Sequence, residues 1–576
     1  MKKIISVLLA LLMLFSASSI LFSCSKDEEA DNEDKIEASS ENAPSSEPEA
    51  PAEDIPVVEP DEPVEDAPVV EPDEPVEDAP VIEPEAPVED APVIEPEAPV
   101  KDAPVIQPEA PVEDIPAVEP EAPVEEVNPI FYKRSLISDD LKEVDYGGRS
   151  FRIATSMPEE FYFDDSERNT GDLIINAKLA RNEAVEKRFN VKLELAYATD
   201  SPYDVANYVS KSILSGNDEF DLVMEQFLYM GAHLTRVLFL DWYDIENINF
   251  YKPWWDKANV KDLTYEGITP FAISDFNFSS ITSINCIAFN KSIVNSYELG
   301  DLYKIVRDGE WTIDKLHEMV KDIYIDNGND KRDTGDFYGL CQTPGIGTNT
   351  YLWAFDNPIC TRDKYDIPQI TIKTDKIDDI TKKICETFNK TDGVYYFTNS
   401  EKPDAAIDMF LNTKAVFTPV TLGHCIETDF ANFSDGYGIL PYPKWDQNQK
   451  SYFTASSPQH TILTIPRTCA DTAFVGTIVE ALSAETWKTV TPTFYEVALK
   501  ENSLTDDGSR QMLDIIVNGC TREFGYIYGA NNTFIKTIEE AAYYLEYEPF
   551  DWFYDRHYSQ VNKWHKDLLK AIYKIP

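Results

Sequence analysis

Short apolar runs alternate with amphipathic segments through the folded part of the chain. Phe151–Thr155 and Val191–Leu195 read as strands, and between them Asp172–Asn190 places apolar residues near one helical face. A helix over 206–214 and a strand over Phe220–Met224 follow. The order strand, helix, strand, helix, strand predicts a parallel sheet with right-handed crossovers.

The second half continues this mixture, with no obvious linker after Pro129. Buried strands are predicted at Cys286–Asn290, Ala415–Phe417, Gly438–Leu440 and Thr461–Ile465, and long helices at 314–323, 473–484 and 509–518. The fold class is therefore α/β. The unbroken pattern favours two interleaved lobes with several chain crossings over separate domains in series.

The first 23 residues have the order of a secretory signal peptide. Two lysines precede an apolar core over Ile4–Phe15, and small residues follow. A transmembrane helix is the alternative, but the patch Ser16–Ser19 interrupts it. Leu21–Cys24 (LFSC) resembles the lipobox of bacterial lipoproteins. This resemblance implies cleavage before Cys24 and a lipid on its thiol.

Residues 24–127 are predicted to form a lipid-anchored, disordered stalk. Ser25–Val127 contains 36 Asp and Glu against three Lys, 21 of the 38 prolines and no aromatic residue, a composition that cannot bury a core. A twelve-residue unit repeats from Val57, beginning VVEPDEPVEDAP. An extended polyproline conformation would hold the folded part away from the membrane. A tail that only keeps the protein soluble is the alternative.

Charge and cysteine content narrow the function classes. The net charge of −54 argues against nucleic acid as a partner, because binding it requires a basic surface. An odd number of cysteines follows Cys24, so they cannot all pair within one chain, and unpaired thiols in an exported protein point to a reducing habitat. Which of them pair is left open: Cys286, Cys341, Cys360, Cys385, Cys425, Cys469 and Cys520.

Six segments occur in a distinctive order through the folded part. They are FDLVMEQ (Phe220–Gln226), YKPWWD (Tyr251–Asp256), IAFNKSIV (Ile287–Val294), DGEWTIDKLHEMVKDI (Asp308–Ile323), DGYGILPYPKWDQNQKSYFT (Asp435–Thr454) and TILTIPR (Thr461–Arg467). Together they resemble the extracellular solute-binding lipoproteins of bacterial ABC importers. The relevant branch is family 1, which resembles maltose-binding protein and mostly takes up carbohydrates.

This resemblance implies a two-lobed, periplasmic-binding-protein-like fold that closes over one ligand about a hinge. The solute-binding domain would span 128–576, with lobe 1 at about 146–285 and 436–490 and lobe 2 at about 286–435 and 491–576. The implied function is capture of a carbohydrate, such as an oligosaccharide, and its delivery to ABC permease subunits. We expect a lipid-anchored monomer without a cofactor at the outer face of the cell membrane. The sugar and the number of membranes are left open.

A receptor of this kind needs flat apolar surfaces for sugar rings and a few polar groups for their hydroxyls. The ligand-binding candidates are Glu225, Trp254, Trp255, Asp275, Trp353, Thr418 and Ser456. Adjacent side chains point in different directions, so we expect one of Trp254 and Trp255 in the core and the other in the cleft. Two further candidates have a structural alternative. Glu225 could cap a helix, and Trp353 could be a core residue.

The sequence offers little catalytic chemistry. The six histidines show no pair at metal-ligand spacing, and no HExxH, G-x-S-x-G or phosphate-binding glycine loop occurs. We therefore expect no enzyme. Two alternatives remain: a cell-surface adhesion or polysaccharide-binding protein without a transport role, and a glycoside hydrolase, because carboxylates are abundant.

One loop departs from the family pattern. Relatives often carry a calcium-type loop where this chain has IDNGNDKRDTGD (Ile325–Asp336). Ile325 takes the first ligand position and Asp330 the place of the turn glycine, and both are unsuited to an oxygen cage. We expect a solvated acidic turn and no metal, with calcium as the alternative.

Overall fold

The computed structural model describes residues 129–161, 172–255, 257–397, 404–504, 506–529, 534, 538 and 549–576. The predicted signal peptide (1–23), the lipid-bearing Cys24 and the stalk (24–127) lie outside the described residues. Within the described part, no helix is both long and apolar enough to cross a bilayer.

Strands and helices alternate along the chain. The strands are β1 (Arg149–Thr155), β2 (Val191–Ala198), β3 (Leu222–Gln226), β4 (Asn285–Asn290), β5 (Tyr324–Ile325), β6 (Phe337–Gln342), β7 (Cys360–Arg362), β8 (Pro368–Ile370), β9 (Val394–Tyr396), β10 (Ala415–Thr421), β11 (Tyr437–Leu440), β12 (Thr454–Ala455), β13 (Thr461–Thr464) and β14 (Cys520–Thr521). The helices are α1 (Pro129–Ser135), α2 (Leu173–Phe189), α3 (Pro202–Leu214), α4 (Phe227–Met230), α5 (Lys257–Leu263), α6 (Ser279–Thr282), α7 (Lys291–Ser296), α8 (Leu302–Arg307), α9 (Ile313–Val320), α10 (Ile346–Ala354), α11 (Ile377–Asn389), α12 (Ala405–Leu411), α13 (Thr428–Ala431), α14 (Thr472–Glu485), α15 (Asp507–Asn518), α16 (Phe524–Ile527) and α17 (Phe550–Ile572).

The first lobe is built on a four-stranded sheet in the order β13-β3-β1-β2. β1 pairs in parallel with β2 and β3, as the sequence predicted, whereas β13 runs antiparallel to β3. Side chains of β1 alternate between two apolar clusters, with Phe151 and Ile153 in one and Ala154 in the other. Because both faces are covered, polar groups reach solvent mainly at the strand ends.

Local signals start and stop the helices that cover this sheet. The Asp172 carboxylate caps α2 by accepting hydrogen bonds from two backbone N–H groups of its first turn. Asn190 ends the helix in the left-handed conformation. Ser201 caps α3, and Pro202 takes its first helical position, where a missing N–H costs nothing.

The second lobe contains a six-stranded sheet in the order β11-β4-β10-β6-β5, with β9 also paired to β6. β6, β9 and β10 are parallel to one another, and β4 runs antiparallel to β10. The sequence placed the return to the first lobe at about 436. The structure instead puts β11 (Tyr437–Leu440) in the second lobe, because it completes the hydrogen bonding of β4.

The chain passes between the lobes three times, at neighbouring points. The first crossing leads from α6 into β4, and the second leads from β12 to β13. Ile284 of the first and Ser456 of the second form an isolated β-bridge. The third runs through the helix that begins as α14, after which β14 pairs with β12. We call Ser280–Asn285 of the first crossing, Thr454–His460 of the second and the adjoining segment Cys520–Arg522, which follows the third, the crossing region.

The helix of the third crossing is longer than the sequence predicted. α14 continues in the wider π register over Thr486–Val490 and Thr493–Ser503. Pro492 lies between these two segments and lacks the N–H that a regular helix would use. The continuation carries the chain into the second lobe.

The C-terminal helix α17 lies against both lobes. It contacts the turn at Gly231–Arg236 in the first lobe and α11 in the second. The two lobes therefore belong to one compact unit.

Candidate ligand-binding site at the lobe crossings

Both sheets direct the carboxyl ends of their parallel strands towards the crossing region. β3 ends at Gln226, which pairs with Thr461, where β13 begins after the second crossing. β10 ends at Thr421, which pairs with Asn285, where β4 begins after the first crossing. β6 and β9 run parallel to β10, so they end on the same side. Ligands of parallel α/β sheets bind at this edge, which makes the space between the two edges the candidate site.

Glu225 lies at the edge of the first lobe's sheet, where it positions the loop that follows β1. β3 extends beyond the predicted strand, so Glu225 is inside it and fully buried. Its carboxylate accepts hydrogen bonds from the Ser156 N–H (2.7 Å), the Ser156 hydroxyl (2.6 Å) and the Gln226 N–H (2.7 Å). Burial raises the pKa of Glu225 to about 7. Glu225 thereby holds the loop after β1 against the end of β3.

The loops beyond these strands carry the accessible groups of the first lobe. The Phe227 N–H donates to the His460 carbonyl (3.2 Å) and the Leu228 N–H to the Pro458 carbonyl (3.3 Å), so the loop after β3 lies against the second crossing. The partly exposed residues of this edge are Ser156, Met157, Pro158, Gln226, Leu228, Tyr229, Pro458 and Gln459. Hydroxyl and amide groups stand here beside apolar side chains, a combination suited to a polar ring-shaped ligand.

The edge of the second lobe holds a buried amide with an unused acceptor. Gln342 ends β6 and is fully buried. Its amide nitrogen donates to the Thr343 carbonyl (3.1 Å) and the Thr348 hydroxyl (3.4 Å). Its Oε1 accepts no hydrogen bond from any residue that the structure describes. A buried acceptor without a donor costs free energy, which a ligand hydroxyl could recover.

Arg522, which sequence reasoning missed, ties the first two crossings to the segment that follows the third. It directly follows β14, and only 5% of it is exposed. The guanidinium donates to the Ser456 hydroxyl (2.9 Å), His460 Nε2 (3.0 Å) and the Ser280 carbonyl (2.6 Å). Ser280 precedes the first crossing, and the other two acceptors belong to the second. Ser456, a sequence candidate, is fully buried and serves this network.

His460 is a neutral acceptor in this network. Burial and the charge of Arg522 hold its pKa well below the usual value. Since Nε2 accepts from Arg522, the proton lies on Nδ1, which donates to the Thr461 carbonyl (2.8 Å). The Phe227 ring packs against the imidazole at 4.7 Å between centroids. The crossing region is therefore fixed by both hydrogen bonds and ring contacts.

Trp353 joins the same cluster as a core residue. Its ring lies 4.4 Å from that of Tyr526, whose hydroxyl donates to the Ser456 carbonyl. The indole N–H donates to Glu523 (2.9 Å), and burial raises the pKa of that carboxyl to about 7. With 2% exposure, Trp353 presents no open ring face to a ligand in this conformation.

Trp254 and Trp255 both lie in the core of the first lobe, whereas the sequence placed one of them in the cleft. Their indole N–H groups converge on Glu480 of α14, at 3.0 and 2.8 Å. Neither is more than 1% exposed, and burial raises the pKa of Glu480 to about 7. Two indole donors sharing one buried carboxylate explain why adjacent tryptophans point inward together.

Asp275 and Thr418 lie apart from the two edges. Asp275 accepts a hydrogen bond from the Thr491 hydroxyl (2.6 Å) on the helix of the third crossing. Thr418 lies inside β10, which is longer than predicted, and its hydroxyl donates to the Cys341 carbonyl (3.3 Å). The structure thus brings Glu225, Ser456 and Trp353 to the crossing region and leaves the other four candidates elsewhere.

The acidic loop Ile325–Asp336 satisfies its own groups. Asp336 accepts hydrogen bonds from the hydroxyls of Tyr324 (3.1 Å) and Tyr338 (3.2 Å). The Arg332 guanidinium lies over both tyrosine rings, at 5.2 and 4.9 Å from their centroids. Across the described part of the chain, no group of three or more His, Cys, Asp or Glu side chains could hold a metal ion.

Among known proteins, the chain is similar only to solved structures, and the similarity is one of fold. No family model matches the chain, and no curated protein matches it. Among solved structures it is similar to the GacH receptor of Streptomyces glaucescens, studied with acarbose, at 12% identity and a TM-score of 0.44, covering 74% of this chain and 98% of that one.

Two further structures show the same kind of likeness. An ABC transporter solute-binding protein from Thermotoga lettingae, bound with α-D-tagatose, is 12% identical with a TM-score of 0.48 and covers 73% of this chain and 99% of its own. UgpB from Mycobacterium tuberculosis, in complex with glycerophosphocholine, is 13% identical with a TM-score of 0.43 and covers 74% and 98%. Acarbose, α-D-tagatose and glycerophosphocholine are ligands of these compared proteins.

Proposed function

We propose that this chain is a lipid-anchored, extracytoplasmic receptor that binds a carbohydrate between its two lobes and delivers it to the permease subunits of an ABC transporter. The observation that carries the proposal is the pair of strand-end edges that face the crossing region. The six sequence segments that resemble importer receptors support the transport role. The lipid at Cys24 and the stalk at 24–127 follow from sequence alone.

The chemistry of the two edges suits a hydroxyl-rich ligand. Ser156, held by Glu225, and the amides of Gln226 and Gln459 offer donors and acceptors on one side. On the other side, Oε1 of Gln342 lacks a donor but is fully buried in this conformation, so a ligand hydroxyl reaches it only after the surrounding side chains move. These groups are uncharged, as expected for recognition of sugar hydroxyls.

Lobe closure needs no bond to be made or broken. A ligand that contacts both edges binds the closed arrangement better than the open one, and only this difference can shift the population towards closure. The crossing region keeps its hydrogen bonds while flanking backbone angles change. Binding energy alone is therefore sufficient for the proposed function.

A panel of mono- and oligosaccharides, screened by thermal shift and confirmed by calorimetry, tests the proposal. We expect one chemical class to raise the unfolding temperature and to bind one molecule per chain. The Tyr251→Ala variant, altered at a residue that is 88% exposed and outside the site, should bind equally well. Silence across the panel from correctly folded protein would contradict the proposal, and release of reducing ends would favour a hydrolase.

A further inference from the structure

The two lobes also meet at the carboxyl end of α5, a helix of the first lobe. The last carbonyl groups of a helix have no N–H partner within it and need donors from elsewhere. Here a donor comes from the second lobe. Nη2 of Arg362, the last residue of β7, lies within hydrogen-bond distance of the carbonyl oxygens of Lys261 (3.1 Å), Asp262 (2.7 Å) and Thr264 (2.6 Å). A single guanidinium therefore joins β7 to the end of α5.

The hairpin of β7 and β8 holds this guanidinium in place. Nη1 of Arg362 donates to the carbonyl of Asp366, in the turn between the two strands (2.9 Å), and lies 3.4 Å from its carboxylate. The Arg362 side chain is 17% exposed, so its hydrogen bonds are largely shielded from water. Hydrogen bonds from a charged donor are stronger than those between neutral groups. The contact is therefore built to hold α5.

Tyr528 completes the contact. Its hydroxyl donates to the Leu263 carbonyl (2.7 Å), so the successive carbonyls of residues 261–264 all accept hydrogen bonds from the second lobe. Its ring stacks on Phe271 of the first lobe, with 5.2 Å between the centroids, and Tyr528 is fully buried. A Cβ on Gly231 would lie 3.0 Å from the Tyr528 carbonyl oxygen, so the first lobe packs closely against this backbone.

The second-lobe side of the contact is one connected surface. Tyr528 follows α16, and Glu523, which precedes α16, accepts hydrogen bonds from the N–H groups of Ile359 (3.2 Å) and Cys360 (2.9 Å). Cys360 begins β7, so α16 is fixed to the hairpin that carries Arg362. A shift of α5 away from this surface would break the hydrogen bonds of both donors at once.

We propose that Arg362 and Tyr528 form a latch on α5 that sets the angle between the lobes before a ligand binds. This inference rests on the proposed function, since it concerns how the receptor reaches the angle at which both edges contact the sugar. The apparent affinity for a ligand scales with the fraction of free protein that already has the binding-competent conformation. Arg362 is thus a positioning residue, which raises the affinity through the lobe angle and not through contact with the sugar.

Chemical cross-linking of the full chain without ligand tests the latch. A lysine-reactive reagent should join Lys261, on α5, to Lys364, two residues after Arg362, because both lysines are exposed and the latch holds their segments together. Mass spectrometry measures the yield of this linkage. Arg362→Met should lose most of the linkage, and Arg362→Lys, which keeps one charged donor, should regain part of it.

Arg332→Met is the matched control. The Arg332 guanidinium also donates to backbone carbonyls, but all of them lie within the second lobe: those of Thr391, Asp392 and Val394. This variant loses comparable hydrogen bonds without touching α5, so its yield of the Lys261–Lys364 linkage should equal that of the wild type. A loss in Arg332→Met as large as that in Arg362→Met would assign the effect to general destabilisation and overturn the latch.

Calorimetry with the sugar that responds in the panel measures the effect on binding. Arg362→Met should bind it about tenfold more weakly, as expected if the competent fraction falls to about one-tenth, whereas Arg332→Met should bind it as the wild type does. An unchanged linkage yield in Arg362→Met would overturn the latch, and so would equal or tighter binding.

A second variant covers the case in which Arg362→Met fails to fold. Tyr528→Phe removes only the hydroxyl that donates to Leu263 and should lower both the linkage yield and the affinity, each by less than Arg362→Met. If neither quantity falls in Tyr528→Phe and Arg362→Lys, the latch is overturned. Because cross-linking needs no sugar, a silent sugar panel would contradict the proposed function while the linkage yield still decides on the latch.

Discussion

Replacing Arg522 by methionine removes the side chain that joins the first two crossings to the segment after β14. Methionine keeps an unbranched side chain but has no hydrogen-bond donor. The Ser280 carbonyl and Nε2 of His460 would both lose the hydrogen bond that they accept from the guanidinium. The Ser456 hydroxyl can rotate to another partner. A buried acceptor left without its donor costs about 1–3 kcal/mol, so the two together give about 2–6 kcal/mol of lost stability.

Urea unfolding, followed by circular dichroism and tryptophan fluorescence, measures this loss. The control is Arg307→Met at a site 43% exposed, which should change the free energy of unfolding by no more than about 0.5 kcal/mol. The reasoning is refuted if Arg522→Met also stays within about 0.5 kcal/mol of wild type with an unchanged slope. The guanidinium would then contribute no more than a surface charge.

Three further predictions follow from buried groups and loops. Burial raises the pKa of Glu225, Glu480 and Glu523 to about 7, so between about pH 5 and pH 7 the folded protein holds more protons than the unfolded chain. The unfolding temperature should therefore fall as the pH rises from about 5 to about 8. An unfolding temperature that rises over this range would contradict the prediction. Gln342→Leu should weaken binding of the responding sugar by about tenfold while leaving stability unchanged or higher, as calorimetry and thermal shift can show; equal affinity would exclude a contact with the ligand. Calcium should not shift the unfolding temperature, because the carboxylate of Asp336 in the Ile325–Asp336 loop already accepts a hydrogen bond from Tyr324 and Arg332 packs over the Tyr338 ring. A clear upward shift of the unfolding temperature would indicate a calcium site.

The first sheet could be predicted because its information is local. Periods of two and 3.6 residues, with the caps Asp172 and Ser201, mark strands and helices within short windows. Where a strand ends is a tertiary matter. β3 runs on to Gln226 because β13, far along the chain, supplies hydrogen-bond partners.

The site residues were harder to predict because their partners are distant in sequence. Trp254 and Trp255 are held by a carboxylate more than 200 residues away, and the Arg522 acceptors lie 62 to 242 residues from it. No local pattern encodes such pairings. A lone arginine in the aromatic segment TREFGYIYG (521–529) is the one signal that could have suggested a buried polar network.

Small-angle X-ray scattering of the folded part, residues 129–576, tests lobe closure most directly. The protein is measured free and saturated with a sugar whose binding has been established by calorimetry. Closure predicts a smaller radius of gyration in the complex, with the change lost on removal of the sugar. Superimposable curves for the free and fully bound protein would contradict the account.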